Sequence, residues 1–169
     1  MKYVILDATK LEAVVNDWCV GEEPDVVYSG MEGITAAYTG YDGTDYSGSE
    51  PPTEPGDYKL TLSCGKLKSE PYYFHVNKPG VDAEYYYDEA TGFEVWFSVS
   101  APKGSLLIMA RYDGGRLVSV SAFRLMNSKT SGVKKTGEDW PGDYKLMLVD
   151  GTTFAPLCAP CVPYDPMGI

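Results

Sequence analysis

The sequence has a single histidine, His75, among 169 residues. A Ser/His/Asp or Cys/His arrangement therefore has one base to draw on, and it would need its partners brought from elsewhere in the fold. Cysteine is scarce as well: Cys19, Cys64, Cys158 and Cys161. Four cysteines allow three pairings, of which Cys19–Cys64 with Cys158–Cys161 is the simplest, and free buried thiols are the alternative. Positive charge is short, with 14 Lys and Arg against 24 Asp and Glu, for a net charge of −10. The deficit lies mostly in residues 1–77, which carry 5 basic and 13 acidic residues, against 9 and 11 in residues 78–169. Such a surface repels phosphate backbones and anionic bilayers, so neither nucleic acid nor membrane insertion is expected among its partners. Long apolar runs are missing too. Tyr3 to Leu6 is too short for a signal-peptide core, and nothing approaches a membrane span. If the sequence is a whole gene product, secretion by the usual route is not expected.

What the chain does have is 14 Tyr, 18 Gly and 12 Pro, with few helix-forming runs. Aromatic and β-branched residues punctuated by turn formers read as all-β. One phrase occurs twice: Pro-Gly-Asp-Tyr-Lys-Leu at residues 55–60 and again at 141–146. Pro-Gly supplies a turn, and the alternation of Tyr58, Leu60 and Leu62 against Lys59 and Thr61 has the period of a half-buried strand. Tyr144, Leu146 and Leu148 repeat it. Two copies predict two tandem Ig-like β-sandwiches, over residues 1–77 and 81–169, joined by a short linker at 78–80. In such sandwiches a tyrosine near the start of a late strand bonds back to upstream backbone, a role that falls to Tyr58 and Tyr144. Trp18 and Trp140 join them as structural residues.

Further strands are expected over Asp25–Tyr28, from Ile34 to Tyr38, over residues 69–76, Phe93–Val99, Ser105–Tyr112 and Leu117–Leu125, with Asp113-Gly114-Gly115 as a hairpin turn. Phe93, Val95, Phe97 and Val99 alternate against Trp96. Residues 7–15 are ambiguous between a capped helical turn, with Glu12 three residues after Thr9, and a strand. Residues 39–56 read as a long polar arm, residues 127–139 as a polar loop, and residues 153–163 as an edge strand broken by Pro156 and Pro160.

Three resemblances follow from particular runs. Asp17-Trp18-Cys19-Val20-Gly21-Glu22, Ala37-Tyr38-Thr39-Gly40 and Pro52-Thr53-Glu54-Pro55-Gly56-Asp57-Tyr58 resemble the small Ig-like repeats of bacterial surface proteins related to mucus-binding modules. Cys19 departs from that pattern, where an aromatic or threonine is usual. Leu107 to Tyr112, Gly115 to Val120, Tyr144 to Leu148 and Pro156-Leu157-Cys158 resemble the β-sandwich segment that often closes large surface or carbohydrate-acting proteins of Gram-positive bacteria. Met1 to Val15 resembles the openings of some Firmicute phage structural proteins. These likenesses imply an appended, non-catalytic module on a bacterial envelope or a virion. Its partners would be a glycan or host surface protein, together with a larger parent protein or virion assembly, and no cofactor is expected.

Candidate chemistry is sparse. Tyr41 and Tyr46 lie on the Gly-rich arm with little core to fill, and rigid amphipathic rings there suit a ligand. Asp42 and Asp45 flank them and, with Glu50 and Asp57, offer loop carboxylates in a spacing that matches no calcium loop. Cys158-Ala159-Pro160-Cys161 has the spacing of a thiol-redox or metal half-site, the competing function, though no βαβ context surrounds it and a zinc site would need two more ligands. It is equally a possible structural disulfide.

Overall fold

A computed structural model describes residues 6–7, 9–29, 32–137 and 142–166. The expected strand at residues 3–6 and the site of Trp140 lie outside this set, apart from Leu6. Among the described residues the protein is all-β, without a helix, and it divides into two compact units, residues 1–78 and 79–169.

In the first unit β1 (Ala13–Val15) pairs antiparallel with β3 (Val26–Tyr28), with β2 (Trp18–Cys19) between them in sequence. The ambiguous segment is thus strand only over Ala13–Val15. Asp7 accepts the Thr9 N–H and hydroxyl, and its own N–H donates to Glu12, so the capping groups close a turn. The main sheet contains β4 (Thr35–Tyr41), β5 (Ser47–Gly48), β6 (Gly56–Cys64), β7 (Leu67–Lys68) and β8 (Tyr72–Asn77). Its path runs β2-β8-β6-β4-β5, with β7 folded back on β6 and the β2–β8 pair parallel.

Alternation along β6 decides the core. Tyr58, Leu60 and Leu62 point inward, joined by Tyr38, Phe74, Val76 and Trp18. Phe74 stacks on Trp18 at 4.8 Å and on Tyr58 at 5.7 Å. The Tyr58 hydroxyl donates to the Glu54 carbonyl four residues upstream at 2.8 Å. Cys19 is fully buried, its thiol donating to the Asn77 carbonyl at 3.2 Å.

In the second unit β9 (Gly80–Asp88), β10 (Gly92–Ser100) and β13 (Lys129–Gly137) form one antiparallel sheet in the order β13-β10-β9. The other contains β11 (Leu106–Asp113), β12 (Arg116–Arg124) and β14 (Asp143–Val149), in the order β12-β11-β14. Val95 and Val99 from one sheet meet Leu107, Met109, Leu146 and Leu148 from the other in a single apolar core. β9 begins at Gly80, so only Lys78 and Pro79 separate the strands of the two units.

The polar loop expected over residues 127–139 is instead β13 for most of its length. Its Lys-Thr-Ser-Gly-Val-Lys-Lys-Thr-Gly sequence lacks apolar alternation because it needs little of its own. Gly132 leaves room for the Phe97 ring, which a Cβ at that position would meet at 2.6 Å.

Tyr144 is buried, but its place differs from that of Tyr58. Its hydroxyl faces the Arg111 side chain, while its backbone N–H donates to the hydroxyl of Tyr85 at 2.9 Å. Tyr85 in turn donates to the Gly142 carbonyl at 3.3 Å, so a tyrosine from β9 secures the second copy of the repeated phrase.

After β14 the chain follows that strand through bridges at Val149–Pro156 and Leu146–Cys161, then moves to β9 at Glu84–Tyr164. Prolines break it into single bridges, since each removes a donor from the ladder.

Candidate functional site

Period-two alternation that buries Tyr58 turns Asp57 and Lys59 to the opposite, outer face of the first unit's sheet. Register then fixes their neighbours. Tyr41 lies opposite Asp57, and Asp57 opposite His75, in one row across β4, β6 and β8. Tyr73 lies one row along, and its ring meets Tyr41 edge to face at 5.2 Å and 80°. His75 Nδ1 lies 2.8 Å from Asp57 Oδ1, and the His75 backbone N–H donates to Asp17 at 2.8 Å. The result is an aromatic and acidic shelf: two tyrosines, the lone histidine, and carboxylates from Asp57 and Asp17.

The Gly-rich arm feeds this shelf through a tight hairpin. Asp42 and Gly43 both take positive φ, 50° and 87°, and the Thr44 N–H closes the turn on the Tyr41 carbonyl at 3.0 Å. Asp and Gly are the residues that tolerate such a turn. Gly40 is required for a different reason, since a Cβ there would run into the Thr44 carbonyl.

Of the residues expected to bind a ligand, Tyr41 is in the shelf, half-buried. Desolvation, then the carboxylates of Asp57 and Asp42, hold its hydroxyl above the usual tyrosine range. Asp42 and Asp45 are exposed, with Asp42 at the turn's tip. Tyr46 is a correction to the expectation that it has little core to fill. Its ring packs edge-on against Tyr58 at 5.8 Å, and its hydroxyl donates to the Glu50 carbonyl at 2.7 Å. It wedges the arm to the core. The sequence singles out Asp57, His75 and the Tyr72–Tyr73 pair separately, but not their grouping with Tyr41. The signal was present in the alternation of β6 and β8, but without the register of β4 it could not be aligned with Tyr41.

His75 has a carboxylate at its ring, yet no hydroxyl or thiol is bonded to that ring among the described residues. The shelf offers stacking surface and hydrogen-bond acceptors. Among the described residues, no group of three or more His, Cys, Asp or Glu side chains is placed to hold a metal ion.

All four cysteines are free thiols. The disulfide considered for Cys158 and Cys161 is not formed. Both pack against the second unit's core, and burial pushes both thiols above the usual range, which disfavours the thiolate that bridge formation needs. Cys19 is pushed up to about 11 by burial, with Glu22 adding to the shift.

Compared with known proteins, the chain matches no family model and no curated protein sequence.

Proposed function

We propose that the protein is a non-catalytic module of two tandem Ig-like sandwiches, displayed on a bacterial envelope or a virion. Its first unit holds a glycan or a host surface protein weakly through the Tyr41–Tyr73 shelf. The observation that carries this reading is the strand order. In the second unit, three strands face three in the orders β13-β10-β9 and β12-β11-β14, and a last segment pairs antiparallel with β14 and parallel with β9. This order supports an Ig-like sandwich, its last segment touching both sheets. In the first unit the parallel β2–β8 pair and the Tyr58–Glu54 bond support the same assignment. The competing thiol-redox reading is weakened by the raised pKa of Cys158 and Cys161, the reverse of an activated thiol.

The test is an array of glycans and host surface proteins probed with wild type and with Tyr41→Ala/Tyr73→Ala. Binding that disappears in the variant supports adhesion through the shelf. No binding by wild type removes the adhesive role and leaves that of a spacer. Thiol-exchange activity that is lost in Cys158→Ser/Cys161→Ser would overturn the non-catalytic reading.

A further inference from the structure

The second unit carries a groove remote in sequence from the shelf. It lies on the outer face of the β13-β10-β9 sheet and has a volume of about 550 Å³. Two rows of side chains shape it. In one, Trp96 of β10 stands opposite Glu84 of β9; in the other, Ser98 stands between Asp82 of β9 and Ser131 of β13. The tall row and the short row leave a trough between them. Tyr164 closes the β9 side, its backbone fixed by bonds to Tyr85 and Ala83 at 2.9 and 2.8 Å.

Trp96 is 44% exposed, yet its ring is held. Its indole N–H donates to Glu94 at 2.8 Å, and Tyr86 lies against it at 5.4 Å. Glu94 is itself buried, accepts the Thr91 hydroxyl at 2.9 Å and pairs with the Lys135 ammonium at 3.9 Å. A large aromatic is thus pre-oriented at the surface by a buried carboxylate that is itself held by Thr91 and Lys135.

The charge of the lining selects the ligand. Asp82 and Glu84 contribute two carboxylates, neither with an ion-pair or hydrogen-bond partner from a side chain among the described residues, and no Lys or Arg lines the groove. An anionic ligand is repelled. A neutral saccharide would strip water from both carboxylates and return only hydroxyl hydrogen bonds. A cation neutralises them and gains the face of the indole as well. Guanidinium fits best, because it both forks onto carboxylates and stacks on aromatic rings.

We infer that the groove walled by Trp96, Tyr164, Asp82 and Glu84 binds an organic cation of the guanidinium or alkylammonium type, presented as an arginine or lysine side chain of a basic protein segment. This goes beyond the function proposed above, which places its ligand on the first unit.

The full chain is titrated with N-acetyl-arginine amide, with a hexapeptide alternating Arg and Ser, and with a neutral disaccharide. The readouts are calorimetry and the Trp96 indole N–H cross-peak. Both cationic probes are expected to shift that peak, with binding weakened several-fold when salt rises from about 0.05 to about 0.5 M. Trp96→Ala is expected to weaken binding about tenfold. Asp82→Asn/Glu84→Gln, which alters only exposed side chains, should abolish the salt dependence and most of the affinity. Peptide binding tenfold or more tighter than the free amide supports a protein segment as the occupant; equal affinities overturn that occupant. A shift caused by the disaccharide alone, no shift at all, or cation binding unchanged in Asp82→Asn/Glu84→Gln overturns the inference. Tyr41→Ala/Tyr73→Ala leaves this titration unchanged, so the two sites stand or fall separately.

Discussion

Replacing Tyr58 by phenylalanine removes one atom from the first unit and tests how its late strand is anchored. The hydroxyl donates to the Glu54 carbonyl at 2.8 Å, while the ring stacks on Phe74 and meets Tyr46 edge-on. Phenylalanine keeps the ring contacts and loses the bond. Glu54 is exposed, so water can replace the donor at its carbonyl, and the loss should be near the net worth of one hydrogen bond, about 1 kcal/mol. For a domain of this size that is a fall of roughly 4–8 °C in Tm. Tyr58→Ala also empties a fully packed site and should cost about 3–5 kcal/mol. Because two units can melt separately, the assay is hydrogen exchange of the β6 and β8 amides, which reports the first unit alone. Alkaline pH gives a second arm. Burial raises the Tyr58 hydroxyl's pKa in the folded state, so the neutral form is favoured by folding. That contribution is full below the ordinary tyrosine value of about 10 and is lost as pH rises through the folded value. Tyr58→Phe should erase part of this loss, and only part, because Tyr38 is raised as well. A variant as stable as wild type, or as damaged as Tyr58→Ala, refutes the anchoring role.

Tyr85→Phe should cost the second unit about 1–3 kcal/mol by thermal melting, more than Tyr58→Phe costs the first, because it strands the buried Tyr144 N–H. Gly40→Ala should lower the first unit's stability by about 1–3 kcal/mol in urea titration, since its methyl would meet the backbone of Thr44. Cys19 should resist thiol reagents at neutral pH until the first unit unfolds, and its stabilising contribution, present below the ordinary thiol value, should fade as pH rises through about 11. Asp57→Asn should change the first unit's stability by less than about 1 kcal/mol, because its contact with His75 is solvent-exposed in part.

The strands that carry the core were legible where a single segment contains its own alternation. Tyr58 to Leu62 and Phe93 to Val99 give their buried faces directly, and Asp113-Gly114-Gly115 marks its turn. β13 was not legible, because its inner face is completed by Phe97 from the neighbouring strand rather than by residues of its own. The shelf and the groove were not legible for a related reason. Each is made by register, which sets Tyr41 beside Asp57 and His75, and Trp96 beside Glu84, on neighbouring strands. Tyr46 looked free because the arm seemed to leave the core; the Asp42-Gly43 turn brings it back. The repeated phrase predicted two equal anchors, but the bond that Tyr58 makes to its own loop is made for Tyr144 by Tyr85, a residue that the repeat does not contain.

The most direct test of the account is the affinity of the full chain for arrayed glycans and host surface proteins, with Tyr41→Ala/Tyr73→Ala measured beside wild type. The account predicts that wild type binds at least one ligand and that the variant, folded as judged by circular dichroism, loses that binding about tenfold or more, as expected when two stacking rings are removed. Binding that survives in the variant at full strength contradicts it.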